Sequence, residues 1–135
     1  MLSTQLLISY CETDYKLPSI GMTIRLGEYN ESLDQLLEQY NAEEWCFITA
    51  WNPNSALYST KENIELNARL EREIRKYPYF KGKGEGRYNS KWPSEESFLV
   101  IGIPFEIAKK LGERFKQNAI LVGRIKGVSE LLVLV

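Results

Sequence analysis

Histidine is absent from the 135 residues. Without it there is no Ser-His or Cys-His catalysis, no usual zinc ligand set, and no side chain whose ordinary pKa lies near neutrality. Cysteine is scarce: Cys11 and Cys46 lie far apart without the CxxC spacing of a redox or metal motif. Cys46, inside the apolar stretch WCFITAW, is expected as a small buried hydrophobe. An excess of either charge is also missing, since 17 Lys and Arg face 18 Asp and Glu. No global field therefore draws the protein to nucleic acid or to an anionic membrane. Long apolar runs are missing as well. Phe98 to Ile103 and Leu131 to Val135 fall far short of the roughly 20 residues of a membrane-spanning helix. The amino end, MLSTQLLISYCETD, lacks the basic start and apolar core of a secretory signal. A cytoplasmic protein is expected. Any enzyme here would work with carboxylates, lysine, tyrosine, backbone amides or an oxygen-ligated metal.

What is present is an ordinary globular composition, 44% apolar and 26% charged. One domain spanning residues 1–135 is expected, large enough to bury roughly two-thirds of its unfolded surface. Leu6 to Tyr10 reads as a short helix capped by Ser3, or as a strand, followed by an extended piece at Tyr15 to Leu17. Met22 to Leu26 alternates as a half-buried strand does. Leu33, Leu36, Leu37 and Tyr40 form one helix face behind a cap at Asn30 or Ser32. Trp45 to Trp51 is a nearly continuous apolar run, which predicts an interior strand of a mixed or parallel sheet. Ser59 and Glu62 have the spacing of a capping box, opening a helix that reaches about Lys76. Tyr77 to Glu96, with glycines at 82, 84 and 86, reads as a long irregular connection. Ser97 to Ile103 is a second apolar strand. A helix with Ile107, Ala108 and Leu111 inward follows, and Pro104 suits its first turn. Ala119 to Val122 and Glu130 to Val135 then make a closing hairpin. The sum is an α/β or α+β fold: one mixed sheet of about five strands packed with three main helices, ending in a β-hairpin.

Several segments together, ITAWNPNS, Glu62-Asn63 with Asn67 and Leu70, Glu85-Gly86, Trp92-Pro93, Glu96-Ser97, Leu99 to Ile103 and Gln117-Asn118-Ala119, resemble the bacterial domain-of-unknown-function family DUF3293. The resemblance runs in order from about Tyr10 to Leu132. It implies that these segments belong together, and it implies no activity, cofactor or partner. A Phe-Gly pair before Gln117 is implied too, but this chain has Phe115-Lys116, so no tight turn is expected there.

The loop Asn52-Pro53-Asn54-Ser55 leaves an apolar strand and leads to a helix, a place where ligands bind in open α/β sheets. Trp51 offers a flat face, and Thr49, Asn52, Asn54 and Ser55 offer neutral donors and acceptors. The amides near Ser59 to Asn63 would suit a phosphate or carboxylate. The plainer alternative is an Asx turn. Asn63 and Asn67 share the buried stripe of their helix, so they either bond the backbone of the Asn52 loop or touch a ligand directly. Trp92 is either a hydrophobic wall or a core plug. Ser97 opens the neighbouring strand, while Gln117 and Asn118 sit at a helix end where Asn is a common cap. The glycine run at 82–87 would let backbone approach a phosphate, with Lys81, Lys83 and Arg87 as counter-charges, but it lacks the GK[ST] ending of a P-loop; it reads as a surface loop that would act as a lid if it closed over the Asn52 loop. Basic residues cluster only at Arg69, Arg72, Arg75 and Lys76, among glutamates that make them a salt-bridged solvent face.

The function expected from this pattern is binding of a small polar metabolite or nucleotide-like ligand at Trp51, Asn52, Asn54, Ser55, Asn63, Asn67, Trp92, Ser97, Gln117 and Asn118, with no cofactor. The alternative is a protein-interaction or inhibitor module docking a partner through Trp51, Tyr77 to Phe80 and Trp92. A third reading is a metal-assisted hydrolase using Glu62 or Glu96.

Overall fold

The computed structural model describes residues 1–88 and 92–135. The chain runs α1 (Thr4–Cys11), β1 (Thr13–Leu17), β2 (Met22–Ile24), α2 (Glu31–Gln39), β3 (Glu44–Ile48), α3 (Thr60–Ile74), β4 (Tyr79–Gly86), β5 (Glu95–Ile101), α4 (Phe105–Arg114), β6 (Ala119–Arg124) and β7 (Glu130–Val133). The seven strands form one sheet in the order β2-β1-β4-β5-β3-β6-β7. Every pairing is antiparallel.

Local chemistry accounts for most helix boundaries. Asn30 caps α2 by accepting the Leu33 amide at 3.0 Å. At the start of α3 the capping box closes in both directions: Glu62 N–H donates to Ser59 Oγ at 3.1 Å, and Ser59 N–H donates to Glu62 Oε1 at 3.2 Å. Pro104 is the cap of α4 rather than a first-turn residue.

β3 is interior, as its apolar run predicts, but the sheet around it is not mixed or parallel. Helices cover both faces of an antiparallel sheet, and that removes the polar alternation such a sheet usually shows. Cys46 and Ile48 face a core shared with Leu70 and Ile74 of α3 and Ala108 and Leu111 of α4. Trp45 and Phe47 face the other side, where Leu33 and Leu37 of α2 complete a second core. Ile107, expected inward, is 38% exposed.

Among the described residues seven strands form where about five were expected; the helices are the three main ones expected and the short one, α1, capped by Ser3. The largest departure is β4. Tyr79 to Gly86 lies between β1 and β5, so this stretch is neither a surface loop nor a lid. Its sequence, YFKGKGEG, alternates with period two. Phe80 joins the α2-side core and Tyr79 the opposite one, so Gly82, Gly84 and Gly86 share the face of Phe80, and Lys81, Lys83 and Glu85 share the other. Part of the expected irregular connection, residues 89–91, lies outside the described residues.

A second departure is the end of α4. Lys116 adopts φ 56°, its N–H donates to Glu113 O at 3.0 Å, and Gln117 N–H donates to Gly112 O at 2.9 Å. The tight turn exists after all, with lysine in the left-handed position that glycine usually takes.

Candidate functional site

The glycine face of β4 creates space. On the sheet face shared with α2, the floor towards the β1 and β6 ends is built from Tyr15 of β1, Gly84 of β4, Ser97 of β5, Phe47 of β3 and Leu121 of β6. A cavity of about 410 Å³ lies over this floor. Helix α1 walls it with Leu6, Ser9 and Tyr10, the 53–55 turn contributes Ser55, and Trp92, Pro93 and Glu95 stand at the entrance to β5.

α1 is an unusual wall. None of its residues is buried, and Leu7 and Ile8 are about half exposed. It is held instead by bonds at its carboxyl end. The Tyr15 hydroxyl donates to Tyr10 O at 3.0 Å, Thr13 Oγ1 donates to Ser9 O at 2.6 Å, and Arg87 Nη2 donates to Cys11 O at 2.6 Å. Burial, followed by the nearby Glu95 charge, pushes the Tyr10 hydroxyl up to about 12, while bonding from the Ala119 backbone and the Ser55 side chain pulls it down. Tyr15 packs edge-on against Phe47, with ring centroids 5.2 Å apart, and burial raises its hydroxyl strongly.

Glu95 is a partly buried charged group of this wall. Asn52 Nδ2 donates to its Oε2 at 3.0 Å, and Trp92 Nε1 donates to the same oxygen at 2.7 Å. Burial raises its pKa, and these two bonds work against the rise. Arg87, at the α1 end, has its Nε 3.0 Å from Asp14 Oδ1. That nitrogen is buried and makes no hydrogen bond, so the contact is ionic. Arg25 donates to the same Asp14 oxygen at 3.0 Å.

The asparagines build the site from behind. Asn52 sits in the left-handed region at φ 49° and is 3% exposed. Its N–H donates to Asn63 Oδ1 at 2.8 Å. Its Oδ1 accepts from Asn63 Nδ2 at 2.8 Å and from the Tyr58 amide at 2.9 Å. Asn67 accepts the Ala50 amide at 2.8 Å and donates to Glu96 O at 2.8 Å, joining the strand end of β3 to β5. These amides therefore bond the loop backbone, the first of the two roles expected of them, and satisfy groups whose burial would otherwise cost about 1 to 3 kcal/mol each. Gln117 Nε2 donates to Trp51 O at 3.3 Å, and Asn118 Nδ2 donates to Ser55 Oγ at 2.8 Å.

Of the ten expected ligand residues, Ser55, Trp92, Ser97 and Gln117 line the cavity. Asn52, Asn63 and Asn118 stand behind it as supports, Asn67 ties the two strands, and Trp51 and Asn54 lie off the lining. Trp92, 42% exposed, is a wall and not a core plug. The α3 amino end, expected to suit a phosphate, is occupied by its own capping box and does not line the cavity. Glu62 is part of that box, and Glu96 alternates to the α3 side of β5, so neither reaches the cavity. Tyr10, Thr13 and Tyr15 were not singled out from sequence; Arg87 was, as a counter-charge of the glycine run, and it lines the cavity. Only the period-two glycines of β4 could have signalled the hollow they surround.

A family profile described as "Protein of unknown function (DUF3293)" matches residues 48–120, more than half of the chain. The chain belongs to that family, as the resemblance in its sequence implied. The matched stretch contains the asparagine loop, α3, β4 and β5; Tyr10, Thr13 and Tyr15 lie outside it. No curated protein and no solved structure matches the chain. No helix among the described residues is long and apolar enough to cross a membrane.

Proposed function

We propose that this domain binds a small, polar and partly planar metabolite in the cavity between α1 and the sheet. The observation that carries the reading is the construction of the hollow. Glycines on one strand open a space of about 410 Å³, within the usual range of ligand pockets, and aromatic rings and a few oriented polar groups line it. Asn52, Asn63 and Asn67 spend their hydrogen bonds fixing the loop that positions Glu95, which is pre-organisation of a kind binding sites need.

The protein-docking alternative draws less support. Tyr77 and Tyr79 pack on the α3 side of the sheet and Phe80 on the α2 side, so the aromatic stretch does not form one surface. The hydrolase reading draws less still, because Glu62 and Glu96 do not converge on the cavity.

A thermal-shift screen against amino acids, nucleosides, sugar phosphates, polyamines and aromatic amines tests the proposal. It should be run on the native chain and on Gly84→Leu, whose side chain would grow into the hollow. A ligand at about a hundred times its Kd adds roughly 2.7 kcal/mol and raises Tm by several degrees. The expected result is a hit that Gly84→Leu loses. Hits that persist in Gly84→Leu, or no hit from any class, overturn the assignment.

A further inference from the structure

We propose that the ligand carries an amine or another organic cation, seated on Glu95 Oε1 and enclosed by aromatic rings. This rests on the cavity being the binding site and names the chemistry that site selects.

Glu95 carries the argument. Both of its hydrogen bonds, from Asn52 and Trp92, fall on Oε2. Oε1 makes none among the described residues, and Glu95 lines the cavity. An ionised carboxylate only accepts, so this oxygen calls for a donor from the ligand. The two donors on Oε2 fix the plane of the carboxylate and hold Oε1 in place before anything binds.

Charge favours a cationic donor. Among the described residues the lining includes two carboxylates, Glu12 and Glu95, and one cation, Arg87. Arg87 is engaged away from Glu95, sharing Asp14 with Arg25 at 3.0 Å and donating to the Cys11 carbonyl at 2.6 Å. The carboxylates of the lining thus outnumber its cation. An anionic ligand would meet the Glu95 carboxylate on this wall.

The walls suit the same class. Tyr10, Tyr15, Phe47 and Trp92 all line the hollow. Aromatic faces attract an ammonium or amidinium group and offer little to a carboxylate or phosphate. Placing a cation beside Glu95 also relieves the burial that disfavours its charged form.

The test is a titration followed by amide chemical shifts in two-dimensional NMR, using three probes of one shape: phenethylammonium, 2-phenylethanol and 3-phenylpropionate. The reporters are the amides of Phe47, Ser97 and Ala119. Phenethylammonium should bind at least about tenfold more tightly than the alcohol, the margin of a charge-assisted bond over a neutral one. The propionate should bind most weakly. In Glu95→Gln the cation and the alcohol should become equal. If the alcohol or the anion shifts the reporters as tightly as the cation in the native chain, the amine assignment is overturned and the cavity reading stands. If no probe moves the reporters at tens of millimolar, both fall. The native-chain comparison decides the matter even if Glu95→Gln fails to fold.

Discussion

Asn52 and Glu95, 43 residues apart, meet through a 3.0 Å hydrogen bond from an amide to a carboxylate. The bond joins the turn after β3 to the start of β5. Because Asn52 is itself held by Asn63, a helix, a turn and a strand share one polar network. The stability of the domain and the geometry of its cavity therefore depend on the same few side chains.

Asn63→Ala removes the acceptor of the buried Asn52 N–H and the donor to Asn52 Oδ1. Leaving such groups unmet should cost about 2 to 4 kcal/mol, read from urea unfolding with an unchanged slope. Asn63→Asp should not rescue it, because the second carboxylate oxygen would face Asn52 Oδ1, an acceptor. A loss under about 1 kcal/mol would show that the network is not a structural lock.

The glycines of β4 should respond in opposite ways. A Cβ on Gly82 would lie 2.5 Å from the Lys16 carbonyl oxygen and 2.6 Å from Leu17 Cδ1, so Gly82→Ala should destabilise by about 1 to 3 kcal/mol as β1 is pushed away. A Cβ on Gly84 meets nothing nearer than 3.6 Å. Gly84→Ala should be neutral, or stabilising by about 0.5 kcal/mol through reduced chain entropy. Thermal melts of the two variants side by side check the contrast.

Lys116 holds φ 56° at the end of α4, a conformation that glycine adopts without the Cβ penalty. Lys116→Gly should raise stability by about 0.5 to 1 kcal/mol, seen as a shift of the urea midpoint. An unchanged or lower midpoint would mean that the lysine side chain supports the turn in some other way.

Glu95 supplies a pH signature. Its native pKa lies above the ordinary value of 4.5, chiefly through burial, so the native state holds the proton more firmly than the unfolded chain does. Stability from this group is then fullest below the ordinary value and declines as pH rises through the native pKa. Glu95→Gln is neutral throughout and can still accept from Asn52 and Trp92. Its Tm relative to the parent should climb with pH across that window and level off above it. Tyr10, Glu12 and Arg87 face the same cavity in both proteins, so the difference isolates Glu95. A difference that does not vary with pH would refute the assignment.

Much of the fold was legible in the sequence because its signals are local. The capping box at Ser59 and Glu62, the Leu33 to Leu37 helix face and the closing hairpin each depend on residues close together in the chain. The sheet's antiparallel sense was not legible, because an apolar run such as Trp45 to Ile48 records only that both faces are covered, not by what route the neighbouring strands arrive. β4 was misread because glycine is poor in strands, and only the pairing of Gly84 with Tyr15 and Glu95 gives KGKGEG its shape. At the site, the asparagine loop was visible as a polar break after an apolar strand. Tyr10 was not, since it reaches the cavity only once α1 folds back over the sheet.

β3 also sets a timing problem for the growing chain. Phe47 pairs with Leu99 on one side and with Leu121 on the other, and both neighbours are made long after it. Until β5 has left the ribosome, the apolar stretch around Trp45 to Ile48 has no neighbouring strand to join, and its other edge stays open until β6 follows; non-local pairing of this kind forms slowly. The nascent chain must carry its central strand unpaired from the completion of β3 to that of β5, an interval in which exposed strand edges are open to aggregation and to capture by chaperones.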